Sequence, residues 1–113
     1  MPRRRWRYYR TESGAEPAKE FIVALDRGSA AAIATAMRAV LLDTRAARHL
    51  RGDIYEVRVR AREHAYRILF APEGRSGHVL LAVSAFEKKT RRTPSSEIIL
   101  AEDRLSDWRR RAR

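Results

Sequence analysis

The sequence predicts an α/β protein of the α+β kind, a mainly antiparallel twisted sheet in the order β-α-α-β-β-β-α. Three observations carry this. Segments 54–60, 65–71 and 79–86 are apolar runs separated by short polar breaks, as successive antiparallel strands require. Ile33, Ala36, Met37, Val40 and Leu41 fall at the spacing of one apolar helix face. The 113 residues suit one domain, 1–113, with no repeat and no interdomain linker.

Arg5 to Arg10 alternates in part and is rich in aromatics, which predicts a first strand. Ser13-Gly14 breaks it. Glu16-Pro17 opens a helix, with proline near the first turn and an acid at the positive end of the dipole. Phe21, Ile22 and Leu25 give that helix one apolar stripe, and Gly28 is expected to end it. Ser29 then reads as the N-cap of the second helix. Two helices joined so closely form a hairpin lying on one face of the sheet.

Gly52-Asp53 introduces the strand Ile54 to Arg60, with Tyr55, Val57 and Val59 on one face and Glu56, Arg58 and Arg60 on the other. Ala61 to His64 connects it to the strand Ala65–Ala71, and Pro72 to Gly77 is a turn. In the next strand Ala82, Ser84 and Phe86 are expected to continue the Glu56–Arg58 face, leaving Val79, Leu81, Val83 and Ala85 for the core. Thr93 is expected to cap the last helix, with Pro94 at its first position and Glu97 in its first turn. Ile98, Ala101, Leu105 and Trp108 make its stripe, and about 109–113 reads as a basic tail.

The chain has a formal net charge of +11 and an isoelectric point near 11.3. Arginine outnumbers lysine 22 to 3, which coding bias alone explains, but bias does not explain the excess of bases over acids. That excess favours RNA, DNA or an acidic partner protein. The absence of cysteine excludes disulfides and thiolate metal sites, and His49, His64 and His78 lack ligand spacing, so no metal and no cofactor is expected. No run is long enough for a signal peptide or a membrane span, and the expected location is cytoplasmic.

A turn centred between Arg62 and Glu63 places Arg58 opposite Arg67 and Glu56 opposite Leu69, all on one face. Like charges directly opposite repel unless an anion or carboxylate neutralises them. One reading is an Arg-Glu-Arg surface cluster with no function. The other is a phosphate cradle, because the guanidinium fork donates two hydrogen bonds to phosphate and stays charged. For RNA cleavage Glu56 is then the candidate base, Arg58 and Arg67 the candidate charge stabilisers, and Lys88 a candidate acid. Phe86 is a candidate stacking group, with ordinary core packing as its alternative. Arg60, Lys89, Arg91 and Arg92 are candidate RNA-binding cations.

The ordered pieces Leu50-Arg51-Gly52, Tyr55-Glu56-Val57-Arg58, Tyr66 to Phe70, Phe86 to Thr90 and Thr93-Pro94 resemble the HigB branch of the RelE/ParE toxin superfamily. The resemblance runs from about Arg7 to Leu105 and is to the phage-derived, HigB-like toxins of type II toxin–antitoxin systems. It implies a RelE-like fold and metal-independent mRNA cleavage by 2′-hydroxyl attack, usually on the 70S ribosome. It also implies a cognate antitoxin, often a helix-turn-helix protein, through which alone operator DNA is met. By position the functional face falls on Glu56, Arg58, Arg67 and the Phe86–Lys88 region. Many relatives carry Tyr or His near the end of the last strand where Phe86 and Lys88 stand here, so the acid stays open. Two other readings share the fold: a ParE-like toxin that inhibits DNA gyrase, and a decayed toxin kept as an antitoxin- or RNA-binding module.

Overall fold

Alternation on the three long apolar segments does build a sheet, and a computed structural model describes residues 3–112 of it. The elements are β1 (Arg5–Tyr8), α1 (Pro17–Val23), α2 (Arg27–Leu42), β2 (Arg48–Arg51), β3 (Ile54–Ala61), β4 (His64–Glu73), β5 (Val79–Glu87) and α3 (Ser95–Arg111). The strands lie in the order β1-β5-β4-β3-β2, with β1 parallel to β5 and the other pairs antiparallel. This is the predicted α+β, RelE-like architecture with one strand added. β2 is missing from the sequence prediction because only Leu50 in it is apolar. It exists as an edge strand by pairing Arg48 with Glu56 and His49 with Tyr55.

The hairpin of α1 and α2 packs where expected. Ile22, Ile33, Met37 and Val40 are buried against Val57, Val59, Tyr66, Ile68 and Phe70, with Ala36 and Leu41 alongside. Each fully buried large side chain contributes roughly 1.5–3 kcal/mol. Gly28, expected to end α1, instead lies in the first turn of α2. Asp26 is the cap, its carboxylate accepting from the Ser29 amide at 3.1 Å. Ser29 is three residues too late to cap; it is buried and its hydroxyl accepts from Tyr66 at 3.1 Å.

The opposite face is also covered, but only in part. Ala101 and Leu105 of α3 lie over Ile54, Leu69, Ala71, Leu81 and Val83. A β-bulge breaks the β4–β5 register: Leu69 pairs with Ser84 and Phe70 with Ala82, which leaves Val83 as the extra residue. The bulge corrects the predicted faces of β5. Ser84 and Phe86 do lie on the Glu56 face, but Ala82 turns under the hairpin, and Leu81 and Val83 pack beneath α3. Arg104 donates to the Val83 carbonyl at 2.8 Å and satisfies the backbone group that the bulge displaces.

The C-terminal arginines are not a trailing tail. α3 continues through Arg111, and Arg109 bridges Glu73 at 2.7 Å and Asp53 at 3.0 Å. Arg110 and Arg111 both pair with Asp107, which also accepts from the Tyr9 hydroxyl at 2.6 Å. Hydrogen bonds from Arg111 and Tyr9 hold the Asp107 carboxyl down at about 2. Arg113 lies outside the described residues.

Candidate functional site

The part of the second face that α3 leaves uncovered carries the predicted basic pair. Arg58 faces Arg67 and Glu56 faces Leu69 in the β3–β4 register, as the turn-centred reading required. Beside them opens a cavity of about 590 Å³ lined by Arg48, His49, Leu50, Glu56, Arg58, Arg67, Lys88, Arg91, Arg92, Thr93 and Ile98. Six of these are cations (Arg48, Arg58, Arg67, Lys88, Arg91 and Arg92) and Glu56 is the one acid, so five positive charges stand uncompensated.

Glu56 is the structural centre of this face. It is 1% exposed and accepts three hydrogen bonds. Arg58 Nε at 3.0 Å and Arg67 Nη1 at 3.1 Å meet Oε1, and the Thr93 hydroxyl at 2.6 Å meets Oε2. Arg67 is itself buried, and burial, partly offset by Glu56, lowers its pKa. A buried guanidinium is tolerable only with such a partner. The expectation of Thr93 as a helix cap is corrected here: α3 starts at Ser95 with Pro94 at the cap position, and the Thr93 hydroxyl serves Glu56 instead. That bond ties the segment carrying Arg91 and Arg92 to the sheet floor.

Both carboxylate oxygens are thus engaged, and Oε1 holds the two arginines side by side at the cavity wall. Glu56→Gln is isosteric and keeps an oxygen for Arg58 and Arg67, but it removes the charge between them. We expect this variant to melt below the wild type in thermal denaturation, because two adjacent guanidinium groups lose the charge between them. An unchanged melting temperature would show that the carboxylate charge does not hold the pair.

Lys88 stands at the end of β5, its amide donating to the Ala65 carbonyl at 2.7 Å. Burial, then Arg67, Arg58 and Arg60, push its ammonium below the ordinary lysine value. Arg60 lies at the far side of Arg58, outside the main cavity. Phe86 pairs with Arg67 across the sheet, but packs half-buried with Leu50 and Trp108 against the α3-side core and does not line the cavity. Lys89 is exposed, faces Glu87 at 3.9 Å and is likewise outside it. Arg48 is the cation that sequence reasoning missed. No local signal marked it, because Arg-His-Leu-Arg does not alternate; only the pairing of β2 with β3 puts it opposite Glu56. His49 borders the cavity, but its ring lies 4.9 Å from that of Tyr55 and bonds the Gly52 carbonyl at 2.8 Å. Among the described residues no group of His, Asp or Glu is arranged to hold a metal ion, and no helix is long and apolar enough to cross a membrane.

The profile of the phage-derived, Gp49-like proteins matches residues 20–106, which takes in both cavity walls and most of α3. The chain belongs to the Gp49-like family. This Gp49-like protein is also 33% identical over 109 residues to the probable endoribonuclease HigB1 of Mycobacterium tuberculosis, in strains CDC 1551 / Oshkosh and ATCC 25618 / H37Rv. Each alignment covers 93% of this chain and 85% of the relative. The HigB-like resemblance of the sequence therefore stands as homology.

Proposed function

We propose that this protein is the toxin of a type II toxin–antitoxin system and cleaves mRNA on the ribosome. The observation that carries the reading is the cavity with five uncompensated cations, whose central guanidinium groups are locked by a buried carboxylate. Locked cations stabilise developing charge without reorganising during the reaction.

In the proposed reaction the 2′-oxygen of the message attacks the adjacent phosphorus, and the bond to the 5′-oxygen breaks. The products are a 2′,3′-cyclic phosphate and a 5′-hydroxyl. Arg67 and Arg58 hold the charge that builds on the phosphorane oxygens, and no metal is called on. The Lys88 ammonium gives its proton to the leaving 5′-oxygen, and its lowered pKa makes it a better acid than an ordinary lysine. Arg48, Arg91 and Arg92 hold the flanking backbone. With Glu56 engaged by Arg58, Arg67 and Thr93, the acceptor for the 2′-hydroxyl proton in this proposal comes from solvent or from the ribosome–message complex. That gap, and the need to orient an otherwise flexible strand, is the argument for ribosome dependence. The chain then works in the cytoplasm beside a cognate antitoxin.

Induced expression in a bacterial host, followed by primer extension on a highly translated message, tests the proposal. Cuts within codons are expected, and they are expected to vanish when the start codon of that message is removed. Growth arrest with intact message would overturn the nuclease reading and point to gyrase.

A further inference from the structure

A second cavity, of about 240 Å³, adjoins the first and shares three of its residues, Arg58, Arg67 and Lys88. Arg60 joins them there, over a floor made by Val59, Ala65 and Tyr66. Arg58 and Arg60 are two apart on β3 and face the same way, so their stems stand about 6.7 Å apart. That is close to the step between successive phosphates of an extended RNA strand. Arg58 is held by Glu56, whereas Arg60 has no acidic partner among the described residues. The cations at the protein's other end are matched differently: Arg109, Arg110 and Arg111 are each bonded to carboxylates.

Four cations and no acid line this second cavity. Arg60 is exposed on a strand whose other face is buried against the helical hairpin, so its backbone is fixed while its side chain is free to close on a ligand. Lys88 stands between the two cavities and feels Arg60 as well as Arg58 and Arg67. We infer that the second cavity is a subsite for the phosphate next to the scissile one, with Arg60 as its principal ligand. The strand of message would then run across the ridge of Arg58, Arg67 and Lys88, one phosphate on each side. This rests on the RNA-cleavage reading and adds the path of the substrate to it.

The test uses a 2′-O-methyl hexanucleotide that spans a cut site mapped in cells. It cannot be cleaved by 2′-hydroxyl attack, so binding is read alone. Fluorescence anisotropy is measured for the wild-type chain and for Arg60→Ala, with single neutral methylphosphonates walked along the strand. Arg60→Ala is expected to weaken binding roughly tenfold, near 1.4 kcal/mol. The slope of log affinity against log salt should become shallower by about 0.7, the value for one contact to a single strand. A methylphosphonate beside the scissile position should cost the wild type the same factor and the variant nothing more. Losses that simply multiply at every position, or an unchanged salt slope, would overturn the subsite while leaving the nuclease reading intact. Coupling at that phosphate, with the mapped cuts persisting in Arg67→Ala cells, would keep the subsite and overturn the nuclease reading by assigning those cuts to a host enzyme. Absence of binding by the wild type would overturn the inference itself.

Discussion

Arg67→Ala is expected to abolish growth arrest and message cleavage. Arg67 is the least exposed of the cavity's cations, and Glu56 fixes its guanidinium from below. Loss of one preorganised donor to a developing oxyanion typically costs about 10²–10³ in rate. Here the donor also carries a full charge, so the upper end is expected. The substitution has a second consequence. It leaves the Glu56 carboxylate buried with Arg58 and Thr93 as its remaining donors. Removing one partner of a buried ion pair costs roughly 3–5 kcal/mol, against about 5–15 kcal/mol for the stability of a whole domain. The lower end applies, because two of the three donors remain.

Arg67→Lys separates the two effects. Lysine keeps the charge beside Glu56 but lacks the planar fork that grips two phosphate oxygens. We expect it to melt near the wild type and still arrest growth poorly. Full toxicity from both variants, with their expression matched, would sink the phosphate cradle.

Lys88→Met is expected to slow cleavage by about 10²–10⁴, the usual range for a lost general acid. The decisive substrate is a message carrying sulfur in place of the 5′-oxygen at the cut. Thiolate leaves without a proton, so that substrate should be cleaved almost equally by wild type and variant. A merely structural lysine would slow both substrates alike. The pH profile gives an independent check. Lys88 is an acid only while protonated, so wild-type cleavage should be level at low pH and fall as pH rises through its depressed value. Stability runs the other way at this group. The unfolded chain, with an ordinary lysine, holds the proton more tightly, so stability rises with pH across the same window. Opposite trends in activity and melting temperature are therefore expected, and a profile flat to the ordinary lysine range would remove Lys88 from the reaction.

Much of this architecture is local in origin and so legible in the chain. Ile33, Met37 and Val40 declare a helix face because the period of 3.6 is a property of the backbone itself. The Arg58–Arg67 pairing follows from a short turn, since a two-residue connection leaves one register for the strands beside it. Thr93 shows where local reasoning ends. A threonine before Pro94 and Glu97 is a sound capping signal, yet its hydroxyl sits 2.6 Å from a carboxylate 37 residues away. Nothing in its neighbours encodes that choice.

By itself the sequence determined the fold class, the predicted order of elements, the basic face and the HigB-like kinship, since each depends on periodicity, turns or motif order. Tertiary structure alone decided the rest. It added β2, a strand whose evidence is its partner, and through a bulge at Val83 it exchanged the faces of Leu81 and Ala82 while leaving Ser84 and Phe86 where they were predicted. It also took Phe86 into the packing beneath α3 and drew Glu56 out of solvent. The physical reason is common to all four. Each outcome is set by competition among distant groups for a few hydrogen bonds and a limited apolar surface, and that competition exists only once the chain is folded.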